Sequence, residues 1–281
     1  MDESDLPPSQ WIENDEPPAV ELRNPQGKSR VVLTCEHASP QIPRRLGTLG
    51  LSEEDRMRHI GWDKGIAVVA QQISDRLNAP LIISGYSRLV IDCNRRPNMP
   101  QSIPEISDMT IIPGNLEIND EEQNMRADAL FWPYHKAVHD VLEARAASQP
   151  IMISMHSFTP VLQGQLRPWD IGLTYRHDMR LAEFLMNELT KEVNINVGNN
   201  QPYSVELETD YAIPVHAERR GISNCLIEIR QDHIEESNGS REWASRLTAI
   251  IRLLEENPNI GATGTPAKDI FEERLPIGDK R

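Results

Sequence analysis

The chain has 281 residues, 38% of them hydrophobic, and a formal net charge of −14 at pH 7. That balance excludes a broad basic face, so neither nucleic acid nor anionic membrane is expected as a partner, and an anion site has to be built locally. No apolar stretch approaches the roughly 20 residues of a membrane span.

Residues 1–28 are polar and rich in Pro, Asn and Glu and read as an N-terminal tail. Their opening, Met1-Asp2-Glu3-Ser4-Asp5-Leu6-Pro7-Pro8, is the opposite of a basic, then apolar, secretory leader, and points to the cytoplasm. The folded body is expected as one α/β domain over 29–256, with a second tail over 257–281. Cys35, Cys93 and Cys225 are odd in number and fall within expected strands, so they read as buried free thiols.

Four short apolar runs each end on side chains that catalysis uses. They are Val31-Val32-Leu33-Thr34-Cys35-Glu36-His37, Leu89-Val90-Ile91-Asp92-Cys93-Asn94-Arg95, Ile151-Met152-Ile153-Ser154-Met155-His156 and Cys225-Leu226-Ile227-Glu228-Ile229-Arg230. Such runs read as strands buried on both faces. In open α/β sheets ligands bind beyond the carboxyl ends of the strands, so these terminal residues can converge on one site.

Between the first and second runs, Ser52 and Asp55 form a capping-box pattern for a short helix. Ile66, Val69, Ala70, Ile73 and Leu77 then recur at helical spacing, and Leu81-Ile82-Ile83 follows as a strand. Residues 98–119 carry three prolines and form a long irregular excursion of the kind that covers active sites. Asn119 can cap a long helix striped by Ala127, Leu130, Phe131, Tyr134, Val138, Val141 and Leu142, which Pro133 should kink or split. After the 151–155 strand come a strand at 171–175, a helix striped by Leu181, Phe184, Leu185 and Leu189, the 225–230 strand, and a last helix bearing Trp243, Leu247, Ile250, Ile251 and Leu254. Strands alternating with amphipathic helices predict a three-layer α/β sandwich.

Two His and one carboxylate with an open fourth position are a catalytic zinc ligand set. His37 and His156 supply the imidazoles, and Asp63, before the second helix, is the best carboxylate, although an Asp there also reads as an N-cap. Glu228 lies mid-strand, where a carboxyl either pairs, for instance with Arg230, or raises its pKa as a general base requires. Asn94 with Arg95, and Arg88 nearby, can bind a substrate carboxylate, or an Arg can pair internally with Asp92. His135 and His139 lack the Glu of a His-Glu-x-x-His motif, since Lys136 stands there, and read as a solvated or half-buried helix face.

The segments Glu36-His37-Ala38, Ser87-Arg88 through Asn94-Arg95, Met155-His156-Ser157 and Ile227-Glu228-Ile229-Arg230 resemble the N-formylglutamate amidohydrolase family over about residues 30–235. The Ser-Arg-x-x-x-Asp-x-Asn-Arg string is the most specific of these matches. The resemblance implies a zinc-exopeptidase-like core with a mixed central sheet. Zinc, with manganese or cobalt as alternatives, would be held by His37, Asp63 and His156, and Glu228 would be the catalytic base. Arg88, Asn94, Arg95 and His216 would meet a small anionic N-acyl amino acid. In zinc carboxypeptidases the ligand Glu stands three residues after the first His, where this chain has Pro40, so Asp63 fills that role from another helix, with Glu36 as its rival. Two other readings remain: a related zinc amidohydrolase or peptidase acting on another N-acyl amino acid, and a metal-free binding protein.

Overall fold

In the computed structural model the described residues are 11–257 and 259–261. Seven strands form the central sheet: β1 (Val20–Arg23), β2 (Val31–Cys35), β3 (Leu81–Ser84), β6 (Ile151–Phe158), β9 (Ile171–Thr174), β10 (Val197–Asn199) and β11 (Ser223–Arg230). Their order is β1-β3-β2-β6-β11-β9-β10. Two hairpins stand outside it, β4 (Ile106–Ser107) with β5 (Thr110–Ile111) and β7 (Val161–Leu162) with β8 (Gln165–Leu166). β3, β2, β6 and β11 run parallel, while β1 and β9 are antiparallel to their neighbours β3 and β11, so the sheet is mixed.

Alternation along the strands sends successive side chains to opposite layers. Val31, Leu33, Cys35, Ile153, Met155 and Ile227 pack under α2 (Ile66–Leu77), α5 (Arg180–Leu189) and α6 (Ser237–Glu255). On the other face Val32, Ile82 and Met152 pack against Tyr134, Val138 and Leu142 of α4 (Trp132–Glu143). This is the expected three-layer α/β sandwich, and all three cysteines are free and buried.

The short helix α1 (Glu53–Arg56) begins at Ser52, whose Oγ accepts from the Asp55 amide at 3.1 Å. Asn119 caps α3 (Asp120–Arg126) by accepting from the Glu122 amide at 2.9 Å. A π turn at Ala127–Phe131 then separates α3 from α4, just before Pro133. The split follows from proline's missing N–H and its clash with the carbonyl four residues back.

Three expectations are corrected. The run from Leu89 to Arg95 is a buried loop, and Leu89, Val90 and Ile91 join a separate apolar cluster with Leu49, Ile112 and Phe131. Side chains replace a strand ladder there: Ser87 Oγ accepts from the Leu89 amide at 3.2 Å, and Asp92 Oδ1 accepts from the Asn94 amide at 2.8 Å. Within the expected N-terminal tail, Val20–Arg23 forms the edge strand β1, and Trp11 is buried. The expected C-terminal tail begins fixed, because Arg30 donates to the Leu254, Asn257 and Ile260 carbonyls, while residues 262–281 lie outside the described residues. Among the described residues no helix is long and apolar enough to cross a membrane.

Candidate active site

On the α4 face, the inner strands change character along their length. Val32 is followed by Thr34 and Glu36, and Met152 by Ser154 and His156, so polar groups collect at the carboxyl ends. His156 and Glu228 are register partners on β6 and β11, which places them side by side. His37 lies two residues past the end of β2, and its carbonyl accepts from the Asp63 amide at 2.9 Å, tying the turn before α2 to the strand end. Gly65, with no side-chain cap, occupies the N-cap of α2. The Asp63 carboxylate is therefore turned inward rather than used as a cap, with Oδ2 2.9 Å from His156 Nδ1 and 3.4 Å from His37 Nδ1.

These three buried groups offer ligand atoms within 4.8 Å of one another. Each imidazole is held from behind by its other nitrogen: His37 Nε2 lies 2.6 Å from Asp92 Oδ1, and His156 Nε2 lies 3.0 Å from Glu36 Oε2. Ser154 Oγ donates to the same Glu36 oxygen at 2.7 Å. Carboxylates behind both rings hold them with Nδ1 toward Asp63, the kind of outer support that metal-binding histidines use. Without a metal, burial disfavours charge on His156, but its hydrogen bonds to Asp63 and Glu36 outweigh this and raise its pKa well above the usual value. Glu36 thus supports His156 from the far side instead of competing with Asp63. The donor set fits a divalent cation such as zinc.

Glu228 completes the group. It is 6% exposed, and its Oε2 has no hydrogen-bond partner among the described residues. Arg230 is turned away onto Asp232 and Asp170 and does not neutralise it. Burial, reinforced by Asp63 and opposed by His156 and Arg88, pushes the Glu228 carboxyl up to about 8. Burial also acts on Asp63, yet His37 and His156 hold that carboxyl well below its usual range. Glu36, equally buried, is lowered to about 2 by His156 and Ser154. The two sides of the site are electrostatically distinct: ionised carboxylates surround the imidazoles, and one neutral carboxyl faces them.

A cavity of about 510 Å³ opens onto His37, Asp63, His156 and Glu228, and Arg88, Asn94 and Arg95 also line it. Arg88 donates to Asp92 Oδ2 at 2.6 Å and approaches His37 Nδ1 at 3.3 Å. Arg95 is paired with Asp210. The Asn94 amide is engaged at both ends, donating to Asp210 Oδ1 at 3.2 Å and accepting from the Ala212 amide at 3.0 Å. The internal pairing expected of Asp92 with an Arg is present, and Arg88, Asn94 and Arg95 line the cavity.

His216 is placed elsewhere. It is fully buried with its ring stacked on His135, His135 Nδ1 2.9 Å from His216 Nε2, and it does not line the cavity. Burial holds its pKa well down and brings His135 to about 4, so the pair is neutral. The expected substrate contact by His216 is thus corrected: the π turn Ile213–Ala217 points the ring into the core. His135 is likewise fully buried rather than on a solvated face.

Several lining residues carry no sequence signal. His59 and the loop 200–206, with Gln201 and Tyr203, form walls of the cavity. That loop can approach because Gly172, the register partner of Glu228 on β9, has no side chain; a Cβ there would lie 1.8 Å from the Gln201 carbonyl oxygen.

A family model described as N-formylglutamate amidohydrolase matches residues 29–235. The crystal structure of gene product Atu2144 from Agrobacterium tumefaciens is similar over 88% of this chain and 99% of that one, with 34% sequence identity and a TM-score of 0.84. No curated protein matches the chain.

Proposed function

Because the chain belongs to the N-formylglutamate amidohydrolase family, we propose that it hydrolyses the amide bond of an N-formyl, or closely related N-acyl, amino acid such as N-formylglutamate in a metal-dependent reaction. The observation that carries this reading is the unpartnered, buried Oε2 of Glu228 beside the His37, Asp63 and His156 group in one cavity.

His37, Asp63 and His156 would hold the cation, zinc by preference and manganese or cobalt as alternatives, and such an ion supplies Lewis-acid activation of water and of the amide carbonyl. Asp92 and Glu36 keep the two imidazoles aimed at the Asp63 side of the group. Glu228 takes a proton from the attacking water as the water oxygen bonds to the acyl carbon. It then delivers that proton to the amide nitrogen as the C–N bond breaks, giving a free amine and a carboxylate. With a cation held by His37, Asp63 and His156, the Glu228 proton affinity would fall from the value of about 8 that burial sets, making the carboxylate available as a base. Arg88, braced by Asp92, lies beside His37 and is suited to the negative charge that develops on the carbonyl oxygen.

The test is amine release from N-formylglutamate and from a panel of N-formyl, N-acetyl and N-succinyl amino acids, with metal-stripped and zinc-restored protein. Zinc-dependent turnover of the formyl substrate is expected. Turnover only of another acyl class would retain the chemistry and replace the substrate, and no turnover with metal bound would reject the reading.

A further inference from the structure

Behind His156, on the side away from Asp63, three buried side-chain oxygens have no hydrogen-bond partner among the described residues: Glu36 Oε1, Thr34 Oγ1 and Tyr134 Oη. Alternation along β2 and the residue that follows it sends Val32, Thr34 and Glu36 to the α4 face. Thr34 is there the register partner of Ser154, which already donates to Glu36 Oε2 at 2.7 Å. Tyr134 comes from the helical layer that covers this face. Its ring is fully buried in the cluster of Val32, Ile82 and Met152, and its hydroxyl lies close enough to Glu36 for that carboxylate, added to burial, to push it up. Thr34 in turn is among the groups that hold Glu36 down. The next residue of α4 fixes this placement: His135 Nε2 donates at 2.7 Å to the carbonyl of Cys93, which follows the Asp92 that holds His37.

A carboxylate oxygen shut off from water is costly until a donor reaches it, and the two hydroxyls that face Glu36 each keep a proton that no other described group takes. Thr34 shares β2 with the residue before His37, whereas Tyr134 ties the Glu36 carboxylate to a different layer of the fold. Resting on the metal-dependent reading above, we propose that Tyr134 is a positioning residue: its hydroxyl donates to Glu36 Oε1, and through Glu36 it sets the direction in which His156 presents Nδ1 to the ion. The first turn of α4 thereby braces both imidazoles, His156 through Tyr134 and Glu36, and His37 through His135 and the loop that carries Asp92.

The experiment is a double-mutant cycle on zinc affinity, read by competition with a chelator in wild type, Y134F, E36Q and the Y134F/E36Q double variant. Y134F removes one oxygen and keeps the packed ring. It is expected to weaken zinc binding about three- to tenfold beside an intact Glu36, and to change it little once Glu36 is already Gln. Equal losses in both backgrounds would make Tyr134 a packing residue and overturn the assignment, as would full zinc affinity in Y134F. A second readout needs no ion. In the metal-free protein the proton NMR resonance of His156 Nε2–H, assigned by its loss in H156Q, is expected to shift and to exchange faster with water in Y134F; an unchanged resonance would overturn the brace. Neither readout uses turnover. If the zinc-loaded wild type hydrolyses no N-acyl amino acid, the amidohydrolase reading fails while coupling between Tyr134 and Glu36 still supports the positioning role.

Discussion

A carboxyl buried against an aspartate and an imidazole takes its proton affinity from competing causes, and in Glu228 burial prevails. In E228Q the amide preserves shape and cannot accept the water proton, so kcat is expected to fall by about 10²- to 10⁴-fold with the fold retained, as steady-state rates and circular dichroism will report. The same residue makes a stability prediction for the metal-stripped protein. With its folded pKa raised to about 8, Glu228 binds more protons in the folded than in the unfolded state between its ordinary value and that pH, so its contribution to stability falls as pH rises through this window. E228Q lacks the penalty, and its stability relative to wild type should grow by on the order of 2–4 kcal/mol between about pH 5 and about pH 9 in urea titrations. A difference that stays constant with pH would place Glu228 in a more polar setting. Behind the imidazoles, D92N and E36Q should each weaken zinc affinity by about 10- to 100-fold, measured by competition with a chelator. An unchanged affinity would detach these carboxylates from the ligand group.

At the scale of elements, the site depends on which strands are neighbours. Glu228 faces His156 on one side and Gly172 on the other, and the missing Cβ at Gly172 admits the Gln201 carbonyl and with it the cavity wall at 200–206. G172A should therefore displace that loop, costing about 1–3 kcal/mol in thermal or urea unfolding and raising KM; wild-type stability and KM would show that the loop adjusts freely. Elements with local signals were legible in the sequence: the Ser52 and Asn119 caps, the α2, α5 and α6 stripes, and the split before Pro133. The Leu89–Arg95 run was not, because its apolar residues fill a loop core and its Ser and Asp side chains bond the backbone in place of a ladder. Nor was β1, whose Val20-Glu21-Leu22-Arg23 alternates as a half-exposed edge strand within an otherwise polar segment.

Across the whole molecule, the sheet order brings together residues separated by more than a hundred positions, and this is where sequence reading reached furthest. His37, Asp63, His156, Glu228, Arg88, Asn94 and Arg95 meet in one cavity because polar residues that end adjacent strands, or follow them, face the same crevice. His216 does not join them, since spacing says nothing of which way a π turn aims a ring, and Tyr203 and His59 enter from loops without any periodic pattern. The central claim is that His37, Asp63 and His156 hold a metal ion on which Glu228-assisted hydrolysis depends. It is tested most directly by following N-formylglutamate turnover while metal-stripped protein is titrated with zinc. The account predicts no turnover at the start and activity that rises to a plateau near one equivalent of zinc. Full activity in the stripped protein, or none at any zinc level while the ion binds, would contradict it.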